Sequence, residues 1–165
     1  MFIKDTSSLI ILGLGSNQGD SRQIILDAVN SLNKVLDKLQ RASLYESSPM
    51  YVTDQEKFIN SAISGFYSKN PWELLKEIHA IEEFFGRNRK NEMRWGRRTL
   101  DIDILLFGNL VIREPDLTIP HIRLNERRFA LEPLLEICPD AIEPGTGKPY
   151  SEICRILPNQ GVKRC

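Results

Sequence analysis

The chain has 165 residues, with 22 Lys and Arg against 22 Asp and Glu for a net charge of +0, and 41% hydrophobic residues. That suffices for one domain over residues 1–165 with a sizeable core, and the charge balance excludes the broad basic face that nucleic-acid or membrane-surface binding needs. Cys138, Cys154 and Cys165 form no Cys-x-x-Cys pair and no apolar run approaches ~18 residues, so the expectation is a cytoplasmic protein with reduced thiols, no zinc site and no membrane span.

Residues 9–14 (LIILGL) form a short continuous apolar run, the pattern of a strand buried on both faces, and Gly15-Ser16-Asn17 reads as the turn after it. Gly13 and Gly15 match neither a dinucleotide fingerprint nor a P-loop, because Gln18 follows and no Lys-Ser/Thr does, so they read as turn chemistry. Asp20 and Gln23 predict a helix start, and Ile24, Ile25, Ala28, Val29, Leu32, Val35, Leu36 and Leu39 keep helical spacing on one face. Residues 41–51 and 58–67 are strand-like runs joined by the polar residues 52–57, which allows antiparallel pairing. Phe58 and Asn60 share a face of the second run. Spacing alone leaves open whether they are an ordinary cross-strand aromatic and polar strand end or ligand contacts.

Asn70-Pro71-Trp72-Glu73 combines a cap, a first-turn proline and a reciprocal capping Glu, predicting a helix to Phe85 that stops at Gly86. Its inward stripe of Leu75, Ile78 and Phe85 includes Glu82, an acid that calls for a cation as a structural ion pair or a ligand contact. His79, one turn earlier, reads as a surface residue.

Residues 87–98 carry five Arg, one Lys and one Glu, a local net of +5. This run feeds directly into Leu100-Asp101-Ile102-Asp103-Ile104, where strict alternation places two carboxylates on one strand face, about 7 Å apart. At that spacing two bare charges repel by about 2 kcal/mol, which a divalent cation reverses. Cations and carboxylates converging in one place suit a metal-bound polyphosphate. The basic run cannot bury enough surface to hold itself in place, so it is expected to close over bound phosphate. Gly108-Asn109 predicts a hairpin turn into Leu110-Val111-Ile112, and helices are expected near residues 126–137 and 151–157.

With strands near residues 9, 41, 58 and 99, the order β-α-β-β-α-β predicts an α+β, ferredoxin-like sheet. An added hairpin and C-terminal helices on the second face make it a three-layer α/β/α arrangement.

Gly86-Arg87, Arg94-Trp95-Gly96, the run from Arg98 to Leu105, Ile119-Pro120-His121 and Arg127 with Phe129 together resemble the signature of the 6-hydroxymethyl-7,8-dihydropterin pyrophosphokinases. Weaker matches run from Gly13 through Ser48-Pro49 and Phe58-Ile59-Asn60 to Pro133-Leu134. The resemblance implies pyrophosphoryl transfer from ATP to 6-hydroxymethyl-7,8-dihydropterin, giving AMP and the pterin diphosphate in folate biosynthesis. It implies Arg87, Arg98, Asp101 and Asp103 as catalytic residues, and Asp101 and Asp103 as ligands of two Mg²⁺ ions. By the same resemblance His79, Arg87, Arg89, Arg98, Ile104, Thr118, His121 and Arg127 bind ATP. Ser47, Met50, Phe58, Asn60, Trp95 and Phe129 bind the pterin. A monomer with small-molecule substrates, and no nucleic-acid or membrane partner, is expected. Arg97 stands where the family has Pro, and Ile122 follows His121 where Pro or Tyr is usual, which leaves the individual roles of the loop cations open. Two other classes share some of these features. A different metal-dependent phosphotransferase would keep Asp101 and Asp103 without the aromatic and amide set, and a ferredoxin-like RNA-binding module would use sheet aromatics with the basic loop.

Overall fold

The computed structural model describes residues 6–91, 94, 96 and 99–165. Strands β1 (Ser8–Ser16), β2 (Asp37–Arg41), β3 (Tyr45–Ser47), β4 (Phe58–Tyr67) and β5 (Asp101–Phe107) belong to one antiparallel sheet ordered β5-β1-β4-β3, with β2 also pairing β4. A two-residue strand, β8 (Lys163–Arg164), extends the sheet beyond β3. Fourth-first-third-second is the strand order of the ferredoxin-like topology, because each helical crossover leaves room for a strand between the two it connects.

Helices α1 (Ser21–Leu32) and α2 (Pro71–Phe84) cover one face. Their buried Ile25, Ala28, Leu32, Leu74 and Ile78 pack with Ile10, Leu12 and Leu14 of β1, Ile63 of β4 and Ile102 and Ile104 of β5. Each strand contributes alternate residues to that core, as the two-residue period demands. The opposite face holds a second core, in which Ile11, Leu105 and Leu106 meet Ala130, Leu131 and Leu134 of α3 (Arg128–Ile137) and Tyr150, Ile153 and Cys154 of α4 (Tyr150–Ile156). Among the described residues no helix is long and apolar enough to cross a membrane.

The second helix begins as its capping signal predicts. Asn70 accepts from the Glu73 backbone N–H at 3.0 Å, and the Glu73 carboxylate accepts from the Asn70 N–H at 3.2 Å. Three other boundaries differ from the sequence expectation. Helix α1 ends at Leu32, although the apolar pattern continues to Leu39: the chain turns at Asn33–Leu36 with Leu36 N–H still bonded to Leu32 C=O at 2.9 Å, and Leu36 is buried from that turn. Lys38 then takes a left-handed φ of 51°, which closes off helix continuation. The single run expected over residues 41–51 is strand only at Arg41, the last residue of β2, and in β3, and the break falls where the Ser43 N–H and hydroxyl both donate to Glu136. Gly108 and Asn109 do form a turn, closed by Leu110 N–H to Phe107 C=O at 3.0 Å. The strand that follows, β6 (Ile112–Glu114), pairs with β7 (Leu117–Ile119) rather than with β5, and β5 remains the terminal strand of the main sheet.

Gly65 lets the α1–β2 connection lie against β4. A Cβ there would sit 2.9 Å from the Leu36 Cβ and 3.1 Å from the Asp37 carbonyl oxygen, distances at which backbone must move. Gly65→Ala is expected to destabilise the fold by about 1–3 kcal/mol through overpacking, read as a fall in the urea midpoint with an unchanged m-value.

Candidate active site

Helix α3 covers only part of its sheet face, and the remainder is the floor of a cavity of about 430 Å³. The register brings Gly13 opposite Asp103 and Gly15 opposite Asp101, while Gly15 also lies opposite Asn60 on β4. Two glycines therefore stand between the carboxylates and the β4 side chains. A Cβ on Gly15 would lie 3.3 Å from the Asn60 side-chain oxygen, so side chains at these positions would fill the floor. This corrects the turn reading of Gly13 and Gly15, which lie inside β1. Their alternation with Leu14 was the available signal, since a two-residue period places both on one strand face.

Around that floor the cavity is lined by Ser47, Met50, Phe58 and Asn60 on one side and by His121, Arg127 and Phe129 on the other, with Arg87, Asp101 and Asp103 at one end. The Asn60 side-chain amide donates to Ser47 Oγ at 2.7 Å, which fixes its orientation and leaves the carbonyl oxygen beside Gly15. Tyr51, Gln55 and Arg123 also line it, and the sequence reading had not singled them out. Arg123 donates to the Tyr51 hydroxyl at 3.0 Å and its guanidinium lies 5.2 Å from that ring's centroid. Arg127 stacks similarly at 5.5 Å from the Phe129 ring.

A second cavity, about 280 Å³, runs along the edge of β5 that faces away from β1. Leu75 and His79 of α2, Arg89, Ile102 and Ile104, and residues 115–118 of the β6–β7 hairpin line it. Arg87, Asp101, Asp103, His121 and Ile122 line both cavities, so these residues stand at the junction. Of the residues expected at a nucleotide site, His79, Arg89, Ile104 and Thr118 are in the second cavity, Arg87 and His121 in both, and Arg127 in the first. Arg98 and Trp95 lie outside the described residues, as do residues 92, 93 and 97 of the closing segment expected over residues 87–98.

Glu82 sets the electrostatics of this junction. Its side chain is 0% exposed, and its carboxylate accepts from Arg87 at 2.6 Å, from the Ile102 backbone N–H at 2.8 Å and from Arg89. Of the two readings left open, the structure shows the ion pair. Burial lifts the Glu82 carboxyl above its ordinary range and Asp101 adds to this, while Arg87 and Arg89 pull it down. The same Arg87 nitrogen donates to Asp101 at 2.6 Å. Asp103 is raised by burial first and by Asp101 second, with Arg127, 3.8 Å away, opposing. A carboxylate raised by a second one beside it is part of an acceptor set that favours positive charge.

His121 approaches Asp103 at 3.7 Å, but no ion pair results. Burial, and then the Arg127 charge, hold its imidazole down to about 4, so the ring is neutral near pH 7. Nδ1 accepts from the Arg123 N–H at 3.2 Å, which leaves Nε2 as the N–H facing Asp103 and the junction. His79 is also lowered, by burial and then by Arg89 and Arg87.

Among the described residues no group of three or more His, Cys, Asp or Glu is placed to hold a metal ion. Asp101 and Asp103 fit Mg²⁺ better than a metal held by protein alone, since Mg²⁺ is commonly bound through one or two carboxylates with waters and substrate phosphates completing its shell.

Fold and site together define an α+β protein with a ferredoxin-like sheet, whose carboxylate-bearing terminal strand stands between an aromatic cavity and a polar one. The family model of 7,8-dihydro-6-hydroxymethylpterin-pyrophosphokinase (HPPK) matches residues 11–139, and the chain belongs to that family. It is 41% identical over 143 residues to the 2-amino-4-hydroxy-6-hydroxymethyldihydropteridine pyrophosphokinase of Aquifex aeolicus, covering 87% of this chain and 88% of that one. It is 36% identical over 159 residues to the folic acid synthesis protein fol1 of Schizosaccharomyces pombe, covering 95% of this chain but only 21% of that protein. The chain thus spans about a fifth of that longer relative. Among solved structures, wild-type HPPK-DHPS of Plasmodium falciparum superposes with a TM-score of 0.73 at 15% identity, over 99% of this chain and 49% of that one, which speaks for the fold.

Two expectations follow. The chain has two histidines, so proton NMR resolves both, and His121 in the free protein should titrate near pH 4. A group with a depressed folded pKa contributes stability that is present above its unfolded value of about 6.5 and is lost as pH falls toward 4, so His121→Gln should flatten the acid limb of the stability profile between those values. Glu82→Gln should cost about 3 kcal/mol of stability, because it removes the buried charge that the Arg87 guanidinium, 8% exposed, shares between Glu82 and Asp101; urea denaturation measures this.

Proposed function

We propose that this chain, as one domain, transfers a pyrophosphoryl group from ATP to the hydroxymethyl oxygen of 6-hydroxymethyl-7,8-dihydropterin, releasing AMP. The observation that carries the reading is the junction: an aromatic cavity and a polar cavity that holds Arg87 and Arg89 meet at Asp101, Asp103, Arg87 and His121. Two substrates bound in the two spaces would present their reacting ends to the same four side chains.

The flat pterin fits the first cavity, with Phe58 and Phe129 available for stacking and the oriented Asn60 amide for the ring's hydrogen-bonding edge. ATP fits the second. The terminal strand β5 offers backbone groups near Ile104 to a base, with Thr118 opposite, while Arg87 and Arg89 would grip the phosphates. Neutral His121 would donate its Nε2–H to a phosphate oxygen without adding charge. Arg127, beside Asp103, would offset negative charge on the pterin side. Asp101 and Asp103 would hold Mg²⁺, two ions by family analogy, supplying charge neutralisation at the phosphates. The chain's own work is then alignment and exclusion of water, which suits phosphoryl-type transfers, where proteins do little covalent chemistry. A monomer working in the cytoplasm completes the proposal.

The test is an assay with the dihydropterin alcohol, ATP and Mg²⁺ in which AMP and ADP are separated. AMP is expected, and ADP as the nucleotide product would overturn the reading. In the same assay Asp101→Asn and Asp103→Asn should each lower kcat by about a hundredfold or more, the scale of losing several kcal/mol of charge stabilisation. Phe58→Ala and Phe129→Ala should weaken pterin binding by about 1–3 kcal/mol, by analogy with base stacking, and leave ATP binding nearly unchanged; calorimetric titration with each ligand separates the two.

A further inference from the structure

The segment after α4 lies beyond the residues that the family model matches, and it ties together two opposite walls of the first cavity. One wall is β3 with its continuation, which supplies Ser47 and Ser48; the other is the start of α3, which supplies Arg127 and Phe129. On the α3 side Gln160 makes both bonds an amide can make there. Its side-chain oxygen accepts from the Arg128 backbone N–H at 2.9 Å, and its side-chain nitrogen donates to the Glu126 carbonyl at 2.9 Å. Arg128 N–H belongs to the first turn of α3, where no carbonyl within the helix is available, and the Arg127 cap position supplies no side-chain bond. Gln160 therefore replaces a missing cap, on the residue between Arg127 and Phe129. The Arg128 side chain adds bonds to the Cys154 and Leu157 carbonyls at 3.0 and 2.8 Å.

On the β3 side the same segment becomes a strand. Lys163 and Arg164 pair with Glu46 and Tyr45, and Cys165 N–H donates to Leu44 C=O at 2.9 Å. Arg164 also reaches Glu136 of α3 at 3.3 Å, and that carboxylate accepts from the Tyr45 hydroxyl at 2.6 Å. Between the two anchorages Gly161, at φ 69°, passes so close to Ser48 that a Cβ would stand 3.0 Å from the serine hydroxyl.

We propose that residues 158–165 are a positioning strap that fixes the separation of the two walls of the pterin-side cavity, with Gln160 as the positioning residue that registers Arg127 and Phe129 against β3. No strap residue lines the second cavity, and the wall residues it registers line the first, so its effect falls on one substrate. The identity of that substrate rests on the function proposed above, whereas the strap itself can be read without any ligand.

The experiment compares the full chain with Gln160→Ala and Gly161→Ala by hydrogen-deuterium exchange of the free protein and by steady-state kinetics. Losing the two Gln160 bonds should speed exchange in residues 126–131 and raise KM for the dihydropterin about tenfold, with KM for ATP unchanged. Gly161→Ala, which strains a left-handed backbone and crowds Ser48, should speed exchange in residues 45–50 and raise the same KM. Gln160→Glu keeps the acceptor for Arg128 N–H and should recover part of the loss. Exchange at both walls unchanged in both variants, or an equal rise of both KM values, overturns the strap. Wall exchange that changes as expected in a protein that forms no AMP supports the strap and overturns the substrate assignment instead.

Discussion

A carboxylate with no exposure to water costs several kcal/mol to bury, and Glu82 is tolerable only because three donors converge on it. The donors and their acceptor come from three parts of the chain: Arg87 and Arg89 begin the basic segment, Ile102 N–H belongs to β5, and Glu82 lies on the inward stripe of α2. The interaction therefore locks the end of a packing helix, the first residues of a loop and the start of the carboxylate strand into one arrangement. Arg87 extends it by bonding Asp101, so a core ion pair is continuous with the polar face of β5. That continuity is why the first two arginines of a strongly basic run are held in place. Their repulsion is answered by an anion outside the run.

The acids and bases at the junction then fall into order. Asp103 is raised by burial and by Asp101, while His121, deeper and next to Arg127, is kept neutral. Each departure has the same origin, because a charge taken out of water needs an opposite charge close by. Arg127 stands near both groups, opposing the rise of Asp103 and deepening the fall of His121. A neutral imidazole beside a carboxylate pair is a donor that adds no positive charge to compete with a bound cation.

Local patterns were legible in the sequence wherever the structure they determine is local. The alternation around Asp101 and Asp103 needs only the two-residue period of a strand, and Asn70 with Glu73 needs only one helical turn. The end of α1 was not legible, since Leu36 is buried from the turn as well as it would be from a helix, and the periodicity of Val35, Leu36 and Leu39 continues past the break. Gly13 and Gly15 were legible only in part: their alternation with Leu14 puts both on one face of a strand, but two glycines near a strand end also fit a turn, and the pairing of β1 with β5 and β4 decides between the two. The strap is the extreme instance: Gln160 is an unremarkable polar residue until α3 and β3, separated by some eighty positions, are brought to either side of it.

The position of β5 in the sheet explains the arrangement of the two spaces. A strand has two faces and two edges, and an interior strand gives both edges to its neighbours. β5 pairs only with β1 within its sheet, so one edge is left over. The β6–β7 hairpin, which turns away after Gly108 instead of pairing with β5, forms the far wall of the space along that edge. One face of β5 meanwhile closes the aromatic cavity, and Asp101 and Asp103 stand on that face with Leu105. A face and an edge of one strand meet along the strand itself, so molecules held on each must come together at its side chains. Two alternating carboxylates on a terminal strand, bare glycines on its single neighbour and a buried acid pinning its first residues are thus one construction, in which each feature has little purpose without the other two.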